Sequence, residues 1–387
     1  MRTLIVAALL LVSSLLKAND PIVTLPFEIH LGHIYIKGQI NDGRPINIVF
    51  DTGAAANLAS EAVAEEIGLT TSGTQTVLGA SGPVSIKSST DNILQLAGSL
   101  ELKDQSFLVM NLDHLGDSDY PLDAIIGANI LSRYTVEMNF EKGVINLFPS
   151  KDFPAPAGYE AHRFSLYPFN VPMIEASLLV SDNETVTGPY LVDTGAALAL
   201  RINTPTVNEN ALEDKVSPNF EIKGKALGNA STDRVGRLKS FKVLGESFDG
   251  VPIRMASVTS GVSSMDNING ILGLEILKRF NTIYDYDRQL MYLKRNSLFN
   301  TPFRENRSGL KIKKYAGYLE VESIIAASAG EKAKIKPGDH ILSVDGKTNL
   351  TYDQFRDYCF ETKGSISLKI LRDGKELIVS LSPFSMI

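Results

Sequence analysis

Two Asp-Thr-Gly triplets hold the residues best suited to chemistry in this sequence. Asp51-Thr52-Gly53 follows the apolar run Ile48-Val49-Phe50, Asp193-Thr194-Gly195 follows Tyr190-Leu191-Val192, and Ala-Ala comes after each. One such triplet arises by chance in roughly one chain in ten, so a single copy says little. Here the two copies lie 142 residues apart, and each is followed 74 to 78 residues later by Ile125-Ile126-Gly127 or Ile271-Leu272-Gly273. Two carboxyls brought close by a pseudo-twofold axis cannot both ionise cheaply, so they share one proton. The ionised member can take a proton from a water held between them. The neutral member can donate a hydrogen bond to a carbonyl whose oxygen gains charge as the water attacks. Such chemistry forms no covalent intermediate and needs neither metal nor cofactor.

Composition narrows the field in the same direction. The chain of 387 residues has one cysteine, Cys359, and five histidines. No intrachain disulfide and no cysteine-based zinc site can be built. His30 and His33 lie in the alternating stretch Phe27 to Ile40, which reads as strand, where residues three apart point to opposite faces. Cys–His chemistry and a His-rich metal site are thereby set aside. With 38 basic and 44 acidic side chains, a net charge of −6 and no long Lys/Arg run, nucleic acid is set aside too.

The elements that must position the two aspartates repeat with them. Residues 123–134 match 269–280, and the hairpin patterns that follow also correspond, at an offset of 146 residues. Two motifs in one order at nearly one offset indicate a duplicated unit of domain size. Inside each unit the pattern is mostly strand. Ile46 to Phe50 runs into the first triplet after an Asn41-Asp42-Gly43 turn, and Asn92 to Leu96, Gln105 to Met110 and Leu238 to Val243 also read as strands. Short helices are predicted at Ser60 to Ile67, with Ser60 as N-cap, at Ala128 to Tyr134, and at Leu274 to Phe280. Three prolines in residues 148–158 mark one boundary, and the polar stretch 295–309 marks another.

At the start, Arg2, the apolar run Leu4 to Leu16 and Lys17-Ala18-Asn19-Asp20 read as a secretory signal peptide. The apolar run is too short to span a bilayer comfortably. The expectation is an exported chain (periplasmic, cell-surface or secreted) with no transmembrane span in its mature form.

Together the triplets and the later Gly segments resemble the aspartic peptidases of the retropepsin and pepsin type, over about residues 24–296. The Ala after each Gly is closer to the retropepsin form. The resemblance implies that Asp51 and Asp193 are the catalytic pair. Thr52 and Thr194 would hydrogen-bond across the interface between lobes. Gly53 and Gly195 would let backbone amides approach the carboxylates, and Gly127 and Gly273 would support the loops. Gly-rich flaps are expected at Gly79-Ala80-Ser81-Gly82 in the first unit and at Gly228-Asn229 in the second. Many pepsin-like sequences carry Ser or Thr where this chain has Ala54 and Ala196. That hydroxyl favours ionisation, so its loss implies higher apparent pKa values for the pair.

Residues 310–385 resemble a PDZ domain of the bacterial protease-associated type. The resemblance rests on Ala316-Gly317-Tyr318-Leu319 and on the run through Lys336-Pro337-Gly338-Asp339 to Val344-Asp345-Gly346. It implies that amides of Gly317, Tyr318 and Leu319 receive a peptide carboxylate, with a helix at Tyr352 to Tyr358 as the other wall. The chain's own end, Ser385-Met386-Ile387, is of the kind such grooves accept.

The sequence therefore predicts a mainly β chain. A signal at 1–18 precedes two acid-protease β-barrel lobes at 19–150 and 159–296 in a bilobal pseudo-twofold arrangement, and a small α+β PDZ domain occupies 308–385. The expected function is peptide-bond hydrolysis of an extended peptide or protein substrate, with a C-terminal peptide as the PDZ ligand. The alternative is a non-catalytic peptide-binding or sensor protein on the same scaffold.

Overall fold

A computed structural model describes residues 20–151, 153, 154, 156–225, 228 and 230–387. The predicted signal at 1–18 and the flap residue Asn229 lie outside the described residues. Strand accounts for 49% of the described residues and helix for 12%, so the protein is mainly β.

The duplication reappears as matching topology. In the first unit, Ile46–Phe50 runs parallel to Ala124–Ile126, with Phe50 opposite Ile126. In the second, Glu184–Val192 runs parallel to Gly270–Leu272, with Val192 opposite Leu272. Ile46–Phe50 is buried at every position. Apart from Asn47, whose side-chain amide donates to the Pro121 carbonyl at 3.1 Å, the strand is apolar, as one covered on both faces requires. Ile46–Phe50 and Glu184–Val192 each end at an Asp-Thr-Gly.

The two units share a third sheet of six strands. Its order is Val23–Pro26, Val144–Pro149, Tyr134–Asn139, Phe280–Asp285, Leu290–Arg295, Glu160–Arg163. The central pair joins the units, Thr135 standing opposite Asp285 and Met138 opposite Thr282. One apolar core runs through both units, from Val23 to Leu293.

The helix predicted at Ser60 forms as Glu61–Glu66, where the Ser60 hydroxyl accepts the Val63 N–H at 3.1 Å. The other two helices are single turns, Ala128–Leu131 and Leu274–Leu277. They stop because Tyr134 and Phe280 begin strands of the shared sheet.

The stretch Phe27 to Ile40 is not one strand. It breaks into Glu28–His30 and His33–Ile40, a hairpin turning at Leu31-Gly32 with φ of 51° and 77°. Two consecutive positive φ values match the twist of a two-residue hairpin. His30 and His33 therefore face each other across the ladder. His30 pairs with Asp117 at 2.8 Å, and among the described residues no cluster of three His, Cys, Asp or Glu could hold a metal.

Residues 310–381 have their own core, built from Leu310, Val321, Ile341, Phe355, Leu368 and others. Their sheet order is Leu310–Tyr315, Tyr318–Ile324, His340–Val344, Ile366–Arg372, Lys375–Leu381, and the helix Tyr352–Glu361 packs on it. This is the small α+β domain. Thr351 caps the helix through a reciprocal capping box with Gln354. No helix among the described residues is long and apolar enough to cross a membrane.

The stretch 295–309, polar in sequence, is pinned in space. Arg279 is 2% exposed and donates to the carbonyls of Leu298, Phe299 and Thr301 while lying 3.9 Å from the Phe303 ring centroid. Arg279→Ala takes that buried donor away from all three carbonyls. It is expected to cost about 3 kcal/mol, read as a lower midpoint in urea unfolding.

Candidate active site

The paired strands deliver Asp51 and Asp193 to one place. The ideal Cβ position of Gly195 lies 2.4 Å from the Asp51 carboxyl carbon, and that of Gly53 lies 2.5 Å from the carboxyl carbon of Asp193. Each carboxyl thus packs on the glycine of the other triplet, where any side chain would displace it. The two carboxyls are thereby close enough for each to act on the other's titration. Asp51 Oδ1 accepts the amides of Gly53 at 2.7 Å and Ala54 at 3.1 Å. Asp193 Oδ1 accepts the Gly195 amide at 2.8 Å.

Thr52 and Thr194 lock the two loops together. The Thr52 hydroxyl donates to the Val192 carbonyl at 2.8 Å and accepts the Thr194 N–H at 3.0 Å. Thr194 does the same in mirror image with the Phe50 carbonyl and the Thr52 N–H, at 2.9 and 3.0 Å. Both threonines are essentially fully buried. Gly127 and Gly273 stand where the loops pass closest: a Cβ there would lie 2.2 Å from the carbonyl oxygens of Ala54 and Leu198 respectively. Only glycine allows that approach.

Burial sets the acidity of the pair. It raises the pKa of Asp51, against the pull of Asp193 and of the Gly53 and Ala54 amides. It raises that of Asp193 well above the usual carboxyl range, and the charge of Asp51 adds to the effect. One proton therefore stays on the pair at pH values where ordinary carboxyls have lost theirs.

The first flap segment is a hairpin of Ser72–Gly79 and Gly82–Leu96 with Ala80 and Ser81 at its tip. Its tip reaches the second unit, where the Ser263 N–H donates to the Ala80 carbonyl at 3.1 Å. Gly82 N lies 2.4 and 2.9 Å from the ideal Cβ positions of Gly261 and Gly228. Gly228 belongs to the connection between Asn219–Lys225 and Ala230–Arg237, so the two candidate flaps meet.

Gly317, Tyr318 and Leu319 do not form an open carboxylate-binding edge, which corrects the expectation for them. Gly317 sits in a hairpin turn with φ 88°. Leu319 stands opposite Lys314 on one side and Ile341 on the other, so its strand is interior. The Tyr318 ring stacks on His340 at 4.1 Å. One edge of this sheet is Leu310–Tyr315, and the Ser118 hydroxyl of the first unit already donates to its Lys314 carbonyl at 3.3 Å. The chain end runs beside residues 305–307, with the Phe384 N–H on the Arg307 carbonyl at 3.0 Å.

Two residues here escape sequence reading. Asn57 is fully buried and its Oδ1 accepts the Gly127 N–H at 3.3 Å, tying the first loop to its supporting glycine. His33 lies within reach of the Gly195 backbone, and burial pushes its pKa down to about 4. Nothing in the spacing marks either residue, because both contacts join segments remote in sequence.

Residues 36–130 match a family model described as aspartyl protease. The match takes in Asp51-Thr52-Gly53 and Ile125-Ile126-Gly127, and the second triplet lies beyond it. No curated protein matches the chain. At the coarse level the match supports a peptidase, a hydrolase acting on peptides.

Proposed function

We propose that the chain is an exported aspartic endopeptidase of bilobal, retropepsin-like form, in which Asp51 and Asp193 activate one water. The observation that carries this reading is the reciprocal seating of each carboxyl on the other triplet's glycine. In the resting state one of the pair is ionised and the other protonated. The ionised carboxylate removes a proton from water as the water attacks the peptide carbonyl. The protonated one donates to the carbonyl oxygen, and a proton is then passed to the leaving nitrogen. Substrate would lie extended between the lobes beneath the two meeting hairpins.

The experiment is hydrolysis of casein or a peptide library by the full chain, compared with Asp51→Asn and Asp193→Asn. Cleavage by the parent and by neither variant supports the reading. A parent that cleaves at no pH favours the non-catalytic binding scaffold. Export is tested by fractionating cells that produce the full chain.

The pH profile follows from the two raised pKa values. Activity rises as Asp51 ionises and falls as Asp193 loses its proton, and burial moves both limbs upward. The expected optimum lies in the mildly acidic to neutral range. A kcat/KM profile peaking only near pH 2 to 3, roughly a unit or more below a free carboxyl's pKa, would contradict it.

In this reading the C-terminal domain is a PDZ domain that takes peptide termini or regulates access. Its outer strand Leu310–Tyr315 is an edge on which a peptide could add. An added strand there would compete with Ser118 for the Lys314 carbonyl.

A further inference from the structure

The two units are not equivalent where they flank the carboxyl pair. In the first unit a row of facing residues crosses the sheet from the catalytic strand: Val49, Ile125, Leu58, Leu108, Ser88. Val49 lies two residues before Asp51, on the same side of the strand. Val49, Ile125, Leu58 and Leu108 pack in an apolar cluster that includes Ala54, beside the catalytic triplet, and Ile86, Val77 and Val84 of the flap hairpin. This wall is continuous with the site.

The same ladder in the second unit reads Leu191, Ile271, Arg201, Arg254, Val235. Arginines thus occupy the places of Leu58 and Leu108. Two residues before Val235 stands Asp233, the counterpart of Ile86, two residues before Ser88. Arg201 and Asp233 are each 5% exposed and form an ion pair at 2.9 Å. The pair leaves Arg201 Nε buried with no partner. Arg254 is half-buried and makes no ion pair among the described residues. The charged or titratable groups that act on it are Asp233, Arg201 and Tyr352 of the C-terminal helix. The wall therefore holds two guanidinium groups against one carboxylate.

Excess positive charge at a poorly hydrated wall is costly unless an anion meets it. A planar guanidinium with free N–H groups fits a carboxylate in particular. From this asymmetry we infer that the second-unit wall is a subsite for a carboxylate of the peptide, facing an apolar subsite formed by the first unit. The inference rests on the peptidase reading for its substrate class. The carboxylate belongs to an Asp or Glu side chain or to the peptide's own C-terminus.

The test uses amidated peptides from a positional library carrying Glu, Gln or Leu at each position, with a free-acid series alongside. Cleavage is measured with the full chain, and binding with the full-length Asp193→Asn chain by fluorescence anisotropy. At one position Glu should be favoured over Gln by about ten- to a hundredfold, as for charge-assisted hydrogen bonds. Arg254→Leu, which installs the first unit's residue, should erase that preference. Arg201→Leu combined with Asp233→Ile should do the same without stranding a buried carboxylate, and thermal melts identify any variant that fails to fold. A Glu preference in amidated peptides assigns the subsite to side chains. A preference confined to free acids, and lost in Arg254→Leu, assigns it to the chain terminus. Equal binding of Glu, Gln and free-acid peptides overturns the inference. If the binding preference is present but nothing is cleaved, the subsite stands and the peptidase reading falls.

Discussion

Replacing Asp193 by Asn in the full chain is expected to lower kcat/KM for peptide hydrolysis by about 10⁴-fold while leaving the fold intact. Asn has nearly the shape of Asp and can still accept the Gly195 amide. It cannot serve as the acid of the pair, and it cannot exchange roles with Asp51 when the proton moves. The loss should fall in kcat rather than KM, because the missing interaction belongs to the transition state.

The same variant carries a stability signature. A carboxyl whose pKa is raised on folding binds its proton more tightly in the folded state. Its favourable contribution is complete below the unfolded-state pKa and is lost as pH rises through the folded-state value. Asp193 is such a group, through burial first and the charge of Asp51 second. Asp193→Asn should therefore match the parent in acid and exceed it in stability toward neutral pH. Urea midpoints measured across that range check it. A variant less stable than the parent at every pH would mean that Asp193 is not held under that penalty.

The second large effect concerns the threonine pair. Thr52→Val keeps the side-chain shape and removes the hydroxyl. The Val192 carbonyl then loses its donor and the Thr194 N–H its acceptor, both in buried surroundings. Two unmet polar groups cost about 2–4 kcal/mol together. The expected result is a lower urea midpoint of that size, with a loss of any peptidase activity because both Asp-bearing loops hang on the same contacts. Thr52→Ser should retain most of both. The double variant Thr52→Val/Thr194→Val should cost less than the sum of the singles, since the two hydroxyls share one network. Strict additivity would indicate that the loops are held independently.

Features that depend on local chemistry could be read from the residues. The Ser60 cap and the Asp-Thr-Gly strands form from neighbours in sequence. The duplication was also visible, because symmetry leaves the same words at a fixed offset. The hairpin at Leu31-Gly32 was not. Leucine at φ 51° is sterically disfavoured, so nothing before Gly32 advertises a turn. It is held by a distant fit, since a Cβ on Gly32 would come 2.7 Å from the Ala197 side chain.

The placement of Gly317, Tyr318 and Leu319 failed for a related reason. Whether a strand is an edge or an interior member depends on which other strands lie beside it. Here Leu310–Tyr315 took the edge and His340–Val344 covered the far side.

By itself the sequence determined the two aspartates, their threonines and glycines, and a mainly β scaffold, because each is a matter of residue type, spacing or repetition. Only the tertiary structure decided that each carboxyl seats on the other triplet's glycine, that the threonines bond reciprocally, and that one flank is apolar while the other carries Arg201 and Arg254. Those are distances between segments more than a hundred residues apart or registers across a sheet. They are fixed by the packing of the whole chain.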